Sequence, residues 1–130
     1  MISKILITIS LLLLSQPVEN QKIDFPNPLI ISISSNYPRI GTWIQIPKGS
    51  KTITFNVKAE NTETVLFWLI PTGTQTWTER ELIGYDIKET EGNSNFSFTW
   101  IIDRPFLHDH LQIQALGNGI SNNIINLEMH

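Results

Sequence analysis

The sequence contains no cysteine, and this absence excludes several kinds of protein. Disulfide-stapled small folds, zinc sites built on thiolates and cysteine nucleophiles all require that residue. Alanine, the strongest helix former, occurs twice in 130 residues, whereas isoleucine occurs 21 times and threonine 12 times. Because β-branched residues favour strands over helices, the composition alone indicates a sheet protein.

Charge is also scarce in this chain. Charged residues make up 16% of it and the formal net charge is -3, which is the wrong sign for neutralising a row of phosphates. We therefore expect no nucleic-acid partner. With 41% hydrophobic residues in 130, the composition is that of one globular domain held by an apolar core.

The apolar run near the amino terminus is too short to cross a membrane. It extends from Ile5 to Leu14 behind the basic residue Lys4, and a spanning helix needs roughly 20 apolar residues. This arrangement is typical of a secretory signal. We predict a signal peptide over residues 1–21, one domain over residues 22–130, no membrane span after signal removal, and a secreted or cell-surface location. A hydrophobic first strand and an uncleaved leader stay open as alternatives.

The rest of the chain reads as short strands separated by turn residues. The alternation of apolar and polar residues is strictest from Thr52 to Lys58, and the stretch from Thr64 to Ile70 is apolar on both faces, as in a covered central strand. Turns rich in glycine, proline and asparagine separate the stretches. Eight strands are predicted, the last with a weaker pattern: 29–34, 42–46, 52–58, 64–70, 81–87, 95–101, 110–116 and 123–128.

This spacing predicts an all-β antiparallel sandwich of about seven to eight strands with hairpin turns between them. The polar insertion from Thr76 to Arg80 is the one place with room for a turn of helix. Trp100 ends a strand whose inward set is Phe96 and Phe98, so we expect its indole in the core. A glycine in the middle of a strand, Gly84, marks a bulge or a close pass of another backbone.

Four short motifs in sequence order resemble those of bacterial immunoglobulin-like domains found in secreted and cell-surface proteins. They are Val65-Leu66-Phe67, Leu82-Ile83-Gly84-Tyr85-Asp86, Phe96-Ser97-Phe98-Thr99-Trp100, and Leu111 to Leu116 followed by Gly119. The resemblance covers about half of the chain, from Thr64 to Leu127. It implies an Ig-like sandwich in a surface-associated setting, and it implies no reaction. Two loops depart from the family pattern, Thr72 to Arg80 and Phe106 to His110.

Residue patterns for catalysis or metal binding are weak. His108 and His110 lie on one side of an extended chain, but zinc takes three or four ligands, so we expect a polar strand entry and no metal site. No G-x-S-x-G motif is present, and the carboxylate pairs Glu79/Glu81 and Glu89/Glu91 are interpreted as solvated loop charges. We therefore predict no catalytic residues, no cofactor and no enzymatic activity.

Aromatic residues give the best candidates for ligand binding. Trp77 lies in the polar insertion, Trp68 on the second face of the two-sided strand, and Tyr85 on the next strand. They form either an exposed platform on which sugars stack or a packed cluster that fixes the insertion to the sheet.

From these observations we predict a secreted, non-catalytic Ig-like module for cell-surface interaction, or an accessory or structural domain. A carbohydrate-binding module is the alternative. The partner is expected to be a protein or a glycan at the cell surface, and the sequence leaves the oligomeric state open.

Overall fold

A computed structural model of the chain describes residues 25–73 and 76–130. The predicted signal segment, residues 1–21, lies outside this part. The described residues form nine strands and one short 3₁₀ helix, η1 (Thr76–Glu79). The strands are β1 (Leu29–Ser35), β2 (Arg39–Ile40), β3 (Trp43–Gln45), β4 (Thr52–Glu60), β5 (Thr62–Pro71), β6 (Glu81–Ile87), β7 (Asn95–Ile101), β8 (Leu107–Gly117) and β9 (Ile120–Met129).

The strands form two sheets, which confirms the all-β sandwich. One sheet has three strands in the order β1-β4-β7, and the other has six in the order β2-β3-β9-β8-β5-β6. All eight predicted strands are present, and the helical turn lies inside the insertion where the sequence left room for one. The strands β8 and β9 are longer than predicted, and β2 was not predicted at all.

Two expectations about strand pairing were wrong. Hairpin turns were expected between successive strands, but among the described strands only β2/β3, β5/β6 and β8/β9 pair in this way. At the other connections of the described strands, including the turn at Asn61 between β4 and β5, the chain changes sheet. Asn61 has a φ of 55°, a conformation that asparagine tolerates better than most residues. In addition, β3 pairs with β9 in parallel, from Trp43 opposite Asn126 to Gln45 opposite Glu128, so the sandwich is not purely antiparallel.

The core lies between the two sheets and is built from the inward residues of each. Phe67 on β5 is central to it, since its ring lies 5.9 Å from that of Phe55 on β4 and 5.3 Å from that of Phe98 on β7. These contacts join the six-stranded sheet to the three-stranded one through aromatic packing. Trp100 is 6% exposed and belongs to the same core, as its position in the strand predicted.

Gly84 lies at a bulge, as predicted, but what passes close to it is an aromatic side chain and not another backbone. The pairing of β5 with β6 shifts register opposite it, between Phe67 and Trp68. The ring of Phe98 also lies so close to Gly84 that a Cβ atom on this residue would overlap it. A glycine at this position therefore lets Phe98 fill the space between the sheets.

The edge strand β6 of the six-stranded sheet lies beside the edge strand β7 of the three-stranded sheet, and a hydrogen bond joins them. The Asp86 carboxylate accepts a hydrogen bond from the backbone N–H of Ser97, at 2.8 Å. An edge strand with free N–H groups invites pairing with another chain. A side chain from one sheet thus occupies a backbone donor at the edge of the other.

We expect Gly84→Ala to lower the free energy of unfolding by about 1–3 kcal/mol, because the added methyl group overpacks the core against the Phe98 ring. Urea denaturation measures this change. In a Phe98→Ala background the same substitution should cost less, since the ring that it meets is gone. An equal cost in both backgrounds would contradict the role assigned to Gly84.

Candidate functional site

The outward side of the six-stranded sheet, away from the core, carries three rows of residues in register. Each row crosses β6, β5, β8 and β9 in that order. We call these twelve residues the outer face. The rows are Ile87, Thr64, Leu116 and Ile120; Tyr85, Leu66, Gln114 and Asn122; and Leu82, Trp68, Gln112 and Ile124.

None of the twelve residues is charged, although 16% of the chain is. Large apolar side chains are nevertheless exposed there: five residues are between 45% and 62% accessible to solvent. They are Leu82, Tyr85, Ile87, Ile120 and Ile124. The outer face is therefore an uncharged surface of apolar and amide side chains in contact with water.

The outward side of the other sheet has a different composition. Its strands present hydroxyl, amide and amino groups, and Thr54 and Thr99 are hydrogen-bonded to each other across β4 and β7 at 2.8 Å. Ser34, Asn56 and Ser97 are exposed on the same side. Leu29 and Ile101 are exposed on this side as well, at 55% and 74%, so it mixes polar, charged and apolar side chains. The outer face differs from it in having no charged residue among its twelve positions.

Arg80, just after η1, covers the middle of the third row. Its guanidinium group lies 3.9 Å from the centre of the Trp68 ring and donates a hydrogen bond to Gln112 Oε1 at 3.1 Å. Gln112 is completely buried and donates in turn to Asn122 Oδ1 at 2.9 Å, while the Trp68 indole N–H donates to Gln114 at 3.0 Å. These contacts fix the end of the insertion to the sheet.

The sequence-predicted aromatic residues are placed as follows. Trp68 and Tyr85 lie on neighbouring strands of the outer face, in adjacent rows. One face of Trp68 is covered by Arg80, whereas Tyr85 is 59% exposed. The side chain of Trp77 lies outside the described residues, so its predicted part in ligand binding stays a prediction. Arg80 was not singled out from the sequence, although an arginine beside an aromatic-rich insertion is a signal for stacking.

The two histidines lie on β8 and point to the outward side, next to the outer face. His108 contacts the Trp43 ring at 4.6 Å and Thr72 Oγ1 at 3.2 Å, and His110 is hydrogen-bonded to Asn126 at 2.6 Å. Each imidazole is thus engaged by a different neighbour. Within residues 25–73 and 76–130, no three His, Cys, Asp or Glu residues are grouped so as to hold a metal ion.

Charged residues lie at the margins of the outer face. Beyond the first row, Lys88 is 3.8 Å from Glu63 and 4.0 Å from Glu91. Beyond the third row, Arg104 is 3.4 Å from Glu81 and 2.7 Å from Asp103, and its hydrogen bond holds the pKa of the Asp103 carboxyl below its ordinary value. The carboxylates at positions 79, 81, 89 and 91 are all exposed.

Comparison with known proteins identifies similar structures but no similar sequences. No protein-family model matches the chain, and no curated protein matches it. A superoxide reductase (neelaredoxin) from Ignicoccus hospitalis has a similar structure, with a TM-score of 0.55 and 9% sequence identity over 78% of this chain and 82% of that one. A variant of that enzyme gives a TM-score of 0.54 with the same identity and coverage. The likeness shows a shared fold.

This likeness corrects the functional prediction. The sequence predicted a non-catalytic Ig-like module, with a carbohydrate-binding module as the alternative, and the lack of enzymatic activity was predicted from weak residue patterns and from the resemblance to Ig-like domains. The two solved structures named above are of an enzyme. Both functional predictions, and the prediction that the protein is no enzyme, are contradicted by this finding. A sandwich of this kind is no sign that a protein lacks a reaction.

At 9% identity the likeness to the superoxide reductase carries the fold alone, and the reaction in that protein's name stays a property of that protein. In the described part of the chain, no helix is long and apolar enough to span a bilayer.

We expect Arg80→Met to lower the free energy of unfolding by about 1–3 kcal/mol, because buried Gln112 loses the donor to its Oε1 atom and Trp68 loses its cation. Urea denaturation followed by tryptophan emission measures the effect. Arg39→Met is the matched control, since Arg39 is exposed and its guanidinium group donates a long hydrogen bond of 3.4 Å to the Ile33 carbonyl. Equal costs for the two variants would contradict the anchoring role of Arg80.

Proposed function

We propose that the chain binds another protein through the outer face. The observation that carries this proposal is the combination of twelve uncharged positions in three registered rows with five exposed, large apolar side chains among them. Soluble proteins seldom leave a contiguous apolar surface of this kind in water unless something covers it. A flat, rigid sheet also needs little ordering when a partner docks.

The distribution of charge around the outer face supports the same proposal. Protein interfaces are depleted of charge at their centre, contain tyrosine more often than other surfaces, and have a polar rim. Tyr85 lies in the middle row, and the ion pairs of Lys88 and Arg104 lie beyond the first and third rows. The face thus has twelve uncharged positions, with ion pairs beyond its first and third rows.

We also propose that the sandwich is of the Ig-like kind. Strand order supports it: an Ig domain pairs its first, second and fifth strands in one sheet, and its third, sixth and seventh in the other. Here β1, β4 and β7 form the first set, and β5, β8 and β9 belong to the second sheet. In this assignment β1 and β3 together correspond to the first strand of an Ig domain, which is divided here between the two sheets.

For the location of the protein, we propose export. The support is the basic residue and short apolar run within residues 1–21. We expect the chain purified from its host to lack about this segment, because a signal peptidase removes it. Intact-mass spectrometry checks the prediction, and a full-length mass in the cytosolic fraction would contradict it.

The protein-binding proposal is tested by capture from an extract of the host with three forms of the full chain. Tyr85→Lys places a charge in the middle row, where it must be desolvated on binding, and should abolish retention of the partner. Asn56→Lys places the same charge on the exposed outward side of the other sheet and should leave retention unchanged.

Quantitative mass spectrometry compares the proteins retained by each form, after circular dichroism has verified that all three are folded. A protein kept by the unsubstituted chain and by Asn56→Lys, but lost with Tyr85→Lys, supports the proposal. If no protein is retained by Asn56→Lys and lost with Tyr85→Lys, the outer face is not a binding surface.

A further inference from the structure

The outer face has the properties that a surface needs in order to bind a copy of itself. In a two-fold symmetric interface the same patch is used on both partners, so it must be self-complementary. Apolar rows are complementary to apolar rows, and amide side chains such as Gln114 and Asn122 can both donate and accept hydrogen bonds. An uncharged face meets no like charge when it meets its own copy.

The charge of the whole chain also favours this partner. Each copy carries a formal net charge of -3, so two copies repel each other wherever their charged surfaces approach. The twelve residues of the outer face carry no negative charge, so they do not add to that repulsion. The first two rows of the face have no charges with which to select a charged partner, and a second copy presents the same uncharged rows.

The area of the face sets the strength expected of such a contact. Four strands about 4.8 Å apart and three rows about 6.8 Å apart cover roughly 19 Å by 20 Å, or about 400 Å² on each copy. Stable interfaces bury about 800 Å² per partner. The contact is therefore at the small end of the range, and the dimer should be weak, with a dissociation constant of roughly 10–1000 µM.

We propose that two copies of this chain dimerise through the outer face, an inference that rests on the proposed protein-binding function and names its partner. The two six-stranded sheets pack face to face about 10 Å apart, as sheets do within a sandwich. Tyr85, Leu66 and Leu82 lie in the contact. Arg80, stacked on Trp68, covers the middle of the third row, so the first two rows make most of the contact.

Sedimentation equilibrium on the full chain, from about 5 µM to about 1 mM, tests the proposal. We expect the weight-average mass to rise from that of a monomer towards that of a dimer. The rise should be lost in Tyr85→Lys and in Ile87→Lys, and kept in Asn56→Lys. Because all forms share the same amino-terminal segment, differences between them report on the outer face alone.

Salt provides a second readout of the same contact. Since the copies repel through their net charge and meet through an uncharged face, association should strengthen between about 0.05 M and about 0.5 M NaCl as the repulsion is screened. An interface held by opposite charges would weaken over this range. Two face variants are used so that a folding defect in one of them does not decide the result.

The possible outcomes separate this inference from the proposed function. Association that only the face variants abolish supports the dimer. A monomer at every concentration overturns it, while a foreign protein lost from Tyr85→Lys in the capture experiment would still support protein binding. Association that Tyr85→Lys and Ile87→Lys leave intact overturns the assignment of the dimer contact to this face.

Discussion

The contact of Phe67 with Phe55 and Phe98 is the interaction on which the remainder of the structure depends. The Phe67 ring on β5, in the six-stranded sheet, packs against Phe55 on β4 and Phe98 on β7, in the three-stranded sheet. Without cysteine, the sheets are held together by packing alone. Gly84 is required by this contact, because any side chain at that position would occupy the space of the Phe98 ring.

The same geometry also determines what the outer face presents. Ile83 and Phe67 point to the core on either side of the register shift, so Leu82, Trp68 and Tyr85 must point outward. A strand that is apolar on both faces needs a cover on each. The three-stranded sheet covers one face of β5, and Arg80 covers only the Trp68 part of the other. The remaining outward side chains of β5 and β6 are what the proposed partner would cover.

Local patterns in the sequence predicted the strands well. The alternation from Thr52 to Lys58 became most of β4, and the two-sided stretch from Thr64 to Ile70 became the centre of β5. Gly84 was interpreted as a bulge or a close pass of another backbone; the bulge is present, and the close approach comes from the Phe98 side chain instead. These features depend on residues a few positions apart, which is the range over which hydrophobic periodicity carries information.

Features that depend on distant residues were not predictable in the same way. The turn at Asn61 looks like a hairpin turn, because turn residues specify a reversal of direction and not which sheet the next strand enters. The parallel pairing of β3 with β9 joins positions more than eighty residues apart. Gln112 alternates as an exposed polar residue would, yet it is fully buried because the insertion returns over it.

The comparison with superoxide reductase shows why function must be argued from side chains here. The two chains share a fold at 9% identity, so nearly every side chain that could bind or react has been replaced. A fold constrains the inward residues through packing and leaves the outward residues free to change. In this chain the twelve positions of the outer face are uncharged and five of them are exposed, large apolar residues. Packing within one copy does not require an uncharged outward surface, whereas binding of another protein to it would favour one.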